Sequence, residues 1–431
     1  MFVIIAPYSV EHGSEYGNPA AKTKIGFFLS LLARLERKIV LVNTLHAKEV
    51  WQKREEYTCR VGDASVREIV LRQYPVRPIG KLLNLFEVGA VAREIAQEGE
   101  PTLIWAYNGY AFEALLARAL KRRFNVPFVF EYEDASMARR KWHPKTWVDF
   151  LASRYLLPEP DLCLAVNRSL LKRERRRSGC DAQLCPGVVS AGLIEACIKR
   201  PAFSEERRHK VVVGYFGTLH PEKGADWLPE LVERLGDNFV FHVSGRGPLA
   251  EEFEALSARR PNFFFHGYVD QDTVYELMAS CDVLLNPHQS IEALGGGLFP
   301  FKVIEYVATG RLVVSTALPD ANLATAFKSI VFVEHDIASF VSVLNVARQI
   351  YEHRRARIEI AVADVRRRFG EQGLLEALSE VIVGSRDVET GQIDAGELEL
   401  IEAQRNAELL QKQPLNPKNA NRTDAEVFAS R

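Results

Sequence analysis

The strongest constraint on the fold is a pattern that runs through the chain twice. From the N-terminus, short apolar segments alternate with longer amphipathic ones: "MFVIIAP", then "IGFFLSLLARLER", "KIVLVNTL", "PTLIWAY", "GYAFEALLARALKRRF", "VPFVFEYED" and "PDLCLAVN". After residue 205 the alternation restarts with "KVVVGYFG", "ADWLPELVERLG", "NFVFHVSG", "PLAEEFEALSARR", "NFFFHG", "QDTVYELMASC", "DVLLNP", "FPFKVIEYVATG" and "RLVVST". Apolar strands that carry no polar alternation, each followed by a helix-length segment, predict a parallel sheet covered by helices on both faces. Two rounds predict an α/β chain of two doubly wound, Rossmann-like domains, over 1–188 and 189–384, joined by a hinge at "PGVVSAGLIEACIKRPAFSEERRH". Residues 48–80 read as polar and irregular, and 385–431 as a polar, disordered tail with a short helix at "GELELIEAQRNAELLQK".

Two such sheets facing each other create a cleft at their carboxyl ends, where ligands bind in this class of fold. That favours a two-substrate enzyme. No apolar run approaches the roughly 18–20 residues that span a bilayer. The first strand begins at once, without a basic leader, so no signal peptide is expected. The six cysteines are scattered without a CxxC pair, which points to reduced thiols in a cytoplasmic protein. The net charge of −1 hides an asymmetry, because residues 1–186 carry roughly +8. "LKRRF", "ARRKWHPK" and "LKRERRR" supply most of it. Such runs are either solvated helix faces or a surface for anionic lipid or a polyanionic acceptor.

The chemistry concentrates in "GGGLFPFKVIEYVATGRLVVST", residues 295–316. Gly295, Gly296 and Gly297 let backbone amides approach a ligand closely, and Pro300 suits a first helical turn. Glu305 falls about one and a half turns further on; it is either a solvated helix carboxylate or a ligand for a vicinal diol, which matches its two acceptor oxygens. Lys223 follows a strand end and precedes Gly224. A cation at a helix start opposes the helix dipole, which favours a role in binding an anion over a bland surface lysine. In "EYED", Glu133 and Asp134 end a strand and are candidates to line the acceptor side of the cleft. "VDQD" resembles a metal-binding Asp-x-Asp, but the helix-like "TVYELMASC" after it makes Asp270 a helix cap, and no metal is expected. No Gly-x-Gly-x-x-Gly opens a helix after the first strand and no P-loop is present, which disfavours dinucleotide oxidoreduction and ATP hydrolysis. His12, His143 and His288 read as loop histidines without assigned chemistry.

Four blocks of the C-terminal half, "GYFGTLHPEKGAD", "FHVSGRGPL", "FFFHGYVDQDTVYELMASCDVLLNP" and the 295–316 segment, resemble in order the nucleotide-sugar-binding domain of GT-B glycosyltransferases, in particular the retaining family 4. The N-terminal half fits more loosely, through the glycine loop after the first strand and "VPFVFEYEDASM". The resemblance implies a GT-B architecture, with a final helix returning to the N-terminal domain. It implies a donor site at Gly217, Thr218, Lys223, Arg246, Gly267, Tyr268, Gly296, Gly297, Leu298, Phe299, Lys302 and Glu305, with Glu305 on the ribose hydroxyls. The acceptor side would hold Gly17, Asn18, Glu133 and Asp134, and Lys223, Glu305 and Asp134 would be the catalytic set. The chain departs from the family twice. Gly297 stands where a glutamate is common, eight residues before Glu305, with Glu292 near but out of register. Thr218 stands where an arginine is common, and Arg246 or Lys302 is a candidate to restore that charge.

The expected activity is sugar transfer from a UDP- or GDP-linked donor to an acceptor hydroxyl in polysaccharide, lipopolysaccharide or glycolipid synthesis. Retention is implied by the resemblance, and no cofactor is implied beyond the donor itself. The expected partners are a nucleotide sugar, a glycan or lipid-linked acceptor and the cytoplasmic face of an anionic membrane, with no nucleic acid. Two other readings stay open: a non-catalytic subunit that binds nucleotide sugars, and an epimerase of the same fold.

Overall fold

The computed structural model of the chain describes residues 1–11, 19–45, 53–72, 74, 79–134, 144–205, 209–288, 299–318 and 328–390. Met1–Ile382 form one compact unit; Val383–Arg431 form a second, of which only the end of the helix Glu371–Thr390 is described. The expected helix at 396–412 and the polar tail lie outside the described residues.

The strands are β1 (Phe2–Ala6), β2 (Lys38–Asn43), β3 (Glu55–Val61), β4 (Ala64–Val70), β5 (Leu103–Tyr107), β6 (Phe128–Tyr132), β7 (Leu162–Ala165) and β8 (Asp181–Leu184) in the N-terminal half. The C-terminal half has β9 (Val211–Phe216), β10 (Phe239–Ser244), β11 (Phe263–Phe265), β12 (Val283–Asn286), β13 (Leu312–Ser315) and β14 (Val331–Phe332). They form two sheets, ordered β3-β4-β2-β1-β5-β6-β7-β8 and β11-β10-β9-β12-β13-β14. The second is the doubly wound order, third strand outermost and reversal between first and fourth; the first sheet extends the same order at both edges. All pairs are parallel except β3 with β4. Ligand sites in such sheets form beyond the strand ends at the reversal point. Here those points lie between β1 and β5, and between β9 and β12.

The apolar patterning accounts for the centre of each sheet. Every residue of β1, β5 and β6 is buried, as covered parallel strands require. The β3–β4 hairpin was not expected from residues 48–80. Its outer strand alternates half-buried and exposed positions and carries Glu55, Glu56 and Arg60, so it lacks the continuous apolar run that marks the inner strands. The segment expected as a hinge contains the helix Ala191–Lys199, capped by Ser190 and buried through Leu193, Ala196 and Cys197.

The two sheets are tied together by the chain itself. Leu374, Leu375, Leu378 and Ile382, on the last helix, share a core with Phe28, Leu29 and Leu32 of the helix Pro19–Leu35 and with β1 and β2. Arg34 pairs with Glu371 at 2.7 Å beside that contact. Near residue 187, the connection between the halves leaves no room for a side chain: a Cβ on Gly187 would sit 2.8 Å from the Cβ of Ile304.

Candidate functional site

The C-terminal reversal point is built by the loops after β9 and β12. Past β9, Gly217 adopts φ 143°, and its amide donates to Ser244 at 3.0 Å. The chain then makes a single tight turn, Pro221–Lys223, closed by Gly224 at φ 69°, whose amide donates to Pro221 at 2.8 Å. A side chain on Gly224 would collide with the carbonyl of Pro287, so this loop is pressed directly onto the one after β12. That contact brings Lys223 Nζ to 2.7 Å from His288 Nε2. An ammonium only donates, so the imidazole accepts through Nε2. His288 is nearly buried, and Thr316 Oγ1 donates to its carbonyl at 2.6 Å.

The third wall is the helix Lys302–Ala308. It is short and begins at Lys302, so Glu305 lies in its first turn and not about one and a half turns in. A helix of this length contributes little dipole; its side chains carry the site. Tyr306 fixes it to the end of β9, where its hydroxyl accepts from the Phe216 amide at 2.9 Å and donates to the Phe216 carbonyl at 3.1 Å. One turn earlier, Lys302 lies over the Tyr215 ring at 4.0 Å from its centroid, beside Gly217. Burial, and then the neighbouring charge of Lys223, push its ammonium down to about 7. Glu305 is buried, and burial alone raises its carboxyl to about 8. Two ionisable side chains on one turn are therefore held where water does not favour their charged forms.

The remaining donor-side positions continue from Gly217. The Gly245 amide donates to the Gly267 carbonyl at 2.8 Å, and Leu219 donates to Arg246 at 3.0 Å. Arg246 lies over the half-exposed Tyr268 ring at 5.0 Å. Thr218 is exposed, and its carbonyl accepts from Tyr215 at 2.9 Å. Gly217, Thr218, Lys223, Arg246, Gly267, Tyr268 and Lys302 thus line one continuous strand-end surface. Phe299 belongs to the hydrophobic core. Gly296, Gly297 and Leu298, with Gly17 and Asn18, lie outside the described residues, as do Gly295, Glu292, His12 and His143. Asp270 caps the helix Gln271–Ser280, accepting from the Thr273 amide at 2.8 Å, the cap role its sequence context predicts.

Across the cleft, the loop after β5 organises the acidic end of β6. Asn108 sits at φ 62°, and its side-chain oxygen accepts from the amides of both Glu133 and Asp134 at 2.9 Å. Glu133 also pairs with Lys24, which donates to the Cys185 carbonyl at 2.7 Å and lies 3.0 Å from Glu131. Burial works against the charge on Lys24, but Cys185, Glu133 and Glu131 outweigh it and keep it protonated. Burial raises Glu131 to about 8, with Lys24 opposing and Glu133 reinforcing the shift. Glu133 is thereby committed to a buried ion cluster, while Asp134 follows it in the loop, two residues past the end of β6. A hydrogen bond spans the halves here, from Thr23 Oγ1 to Gln271 at 3.1 Å.

Sequence reasoning did not assign roles to His288, Lys24, Asn108 or Tyr306. The position of His288, one residue past Pro287 at a strand end, was the only signal for any of them.

Residues 210–346 match the family model described as Glycosyl transferases group 1. No curated protein matches in sequence. Among solved structures, sucrose-phosphate synthase from Thermosynechococcus elongatus is similar at 13% identity and TM-score 0.65, covering 90% of this chain and 100% of that one. An E. coli trehalose-6-phosphate structure bound with UDP-2-fluoro glucose is similar at 11% identity and TM-score 0.61, covering 89% and 99%. HepE of Anabaena in complex with UDP is similar at 14% identity and TM-score 0.57, covering 89% and 100%. These likenesses establish the GT-B fold. A glycosyl transferases group 1 domain thus spans the C-terminal sheet, within a compact unit that has the GT-B fold.

Proposed function

We propose that the protein moves a hexose-type sugar, with retention, from a UDP- or GDP-linked donor to an acceptor hydroxyl of a glycan or lipid-linked glycan. The observation that carries this reading is the meeting of Lys223 and Lys302 at the C-terminal reversal point, with Glu305 on the same turn as Lys302. A departing nucleoside diphosphate gains negative charge as the glycosidic bond breaks, and fixed cations in a shielded site stabilise that charge best. Lys302 beside Gly217 stands in for the arginine absent at Thr218, so positive charge comes from lysines and no metal ion is invoked. Glu305 would hold the ribose hydroxyls. Asp134 would face the acceptor, and the leaving phosphate would take the acceptor proton on the same face. The boundaries 1–188, 189–384 and 385–431 remain our proposed division of labour between acceptor half, donor half and tail.

The solved relatives with UDP or UDP-2-fluoro glucose bound support a nucleotide-sugar ligand. The excess basic charge of residues 1–186 supports peripheral contact with an anionic membrane on its cytoplasmic side. Calorimetry with UDP and GDP, followed by donor hydrolysis with a panel of UDP- and GDP-sugars, tests the reading. Micromolar nucleotide binding with slow hydrolysis supports it. Binding without turnover under any acceptor would instead identify a binding subunit, the reading that the glycine at position 297 favours.

A further inference from the structure

The N-terminal half presents an apolar stripe that its own core does not use. In the helix Pro144–Leu151 and the wider turn Ala152–Leu156 that continues it, Trp147, Leu151 and Tyr155 recur every fourth residue and are 47%, 49% and 67% exposed. The opposite side is anchored: Ala152 and Leu157 are in the core, and buried Asp149 accepts from the Ala111 amide at 3.1 Å and pairs with Lys145. Large apolar side chains aligned on one exposed face of a surface helix mark an interaction site.

Its surroundings are basic. Arg154 lies over the Tyr155 ring at 5.8 Å, Arg118 donates to the Tyr155 carbonyl at 3.1 Å, and Arg173 lies over the Phe150 ring at 5.7 Å. Arg122 and Arg123 are exposed on the adjoining helix Ala111–Phe124. Among the described residues, Arg118, Arg154 and Arg173 have no carboxylate partner, whereas Asp161 nearby is taken by Lys121. The location is also informative. The Asp149–Ala111 bond fixes the stripe at the start of the helix that follows β5, the strand end where Asn108 holds Glu133 and Asp134. The helix that carries the stripe therefore starts near the strand end proposed above for the acceptor.

We propose that this stripe is where the protein docks on a bilayer, with Trp147, Leu151 and Tyr155 entering the interfacial layer and the arginines around them meeting anionic headgroups. Tryptophan and tyrosine suit that layer because each combines an apolar ring with a polar atom. The apolar residues supply burial and the arginines supply the preference for anionic lipid; neither alone gives stable attachment. The proposal rests on the membrane contact inferred above and names the element that makes it. It is independent of which nucleotide the donor site takes.

The test is co-sedimentation of the full chain with phosphatidylcholine vesicles, with and without about 30 mol% phosphatidylglycerol. The expected result is binding to the anionic vesicles only, weakened by salt. A Trp147→Ser, Leu151→Ser, Tyr155→Ser variant should bind about tenfold or more weakly. Arg118→Gln with Arg154→Gln should lose a further salt-sensitive part. These side chains are on the surface, and thermal shift by UDP on each variant separates this proposal from the donor reading. UDP binding retained with vesicle binding lost supports the docking site. The proposal is overturned if the wild type does not bind vesicles, or if the triple variant binds them as well as the wild type. It is equally overturned if the triple variant changes only the oligomeric state in light scattering, which would make the stripe a contact between copies.

Discussion

Lys223 and His288 come from loops 65 residues apart and meet at 2.7 Å across the point where the strand order of the C-terminal sheet reverses. The bond holds a flexible ammonium at the place where a diphosphate would bind, so the two residues should act unequally. If the proposed donor site is right, Lys223→Ala removes charge that would stabilise the leaving diphosphate and should lower kcat by about 10²–10³-fold. His288→Ala leaves the charge but frees the side chain, and should act mainly through KM, with His288→Gln restoring most of the loss by supplying another acceptor. Steady-state kinetics on the three variants checks this, and equal kcat losses in Lys223→Ala and His288→Ala would sink the distinction.

Gly224 sets that geometry. Its left-handed backbone costs any other residue about 1–2 kcal/mol, and a methyl group there would strike the Pro287 carbonyl. Gly224→Ala should therefore lower the melting temperature and weaken UDP binding together, as differential scanning calorimetry and nucleotide titration would show. A substitution that melts earlier yet binds UDP normally would separate the turn from the site.

Lys302 should give donor binding a proton signature. In the free protein its ammonium is pushed down to about 7, whereas its ordinary value is 10.5. A bound diphosphate favours the charged form and raises that value. Affinity for UDP should then be flat below pH 7 and weaken by up to about tenfold per unit above it, until the value in the complex is reached. Calorimetry in buffers of different ionisation enthalpy should show proton uptake near pH 8, abolished by Lys302→Met. The same depression predicts that the unliganded wild type gains stability as pH rises from about 7 towards 10.5, because the unfolded chain binds the extra proton there. Lys302→Met should lack that gain in chemical denaturation.

The Lys24 cluster makes a stability prediction for the N-terminal sheet. Lys24→Met would leave Glu131 and Glu133 facing each other without their cation, in a site where Lys24 and Glu131 are almost fully enclosed. Removing one partner of such a buried pair costs about 3–5 kcal/mol. Pairing Lys24→Met with Glu131→Gln should recover part of that loss in urea unfolding.

The last helix supports the N-terminal half although it is far away in sequence. Leu378 is buried against the core built on the helix Pro19–Leu35. Leu378→Ala should cost about 2–5 kcal/mol, and limited proteolysis should show early cleavage within the N-terminal half.

The sequence determined the two sheets, because a parallel strand covered on both faces must be apolar along its whole length, and β1, β5, β6 and β9 each print that requirement locally. It also placed Lys223, Lys302 and Glu305 at strand and helix ends, where loops carry ligand chemistry. Four features were not written locally. The β3–β4 hairpin carries too many charges to look like sheet, since only one of its strands packs against β2. The helix inside the expected hinge is buried through Leu193, Ala196 and Cys197 in a core that also holds Tyr275 and Met278, from the helix Gln271–Ser280 much later in the chain. The short helix Lys302–Ala308 owes its position to the hydroxyl of Tyr306 bonding Phe216, a partner 90 residues earlier. The pairing of Lys223 with His288 depends on Gly224 fitting against Pro287. A strand's burial is decided by its own residues, but a site's geometry is decided by which strand ends the topology sets side by side, and that is a property of the folded chain alone.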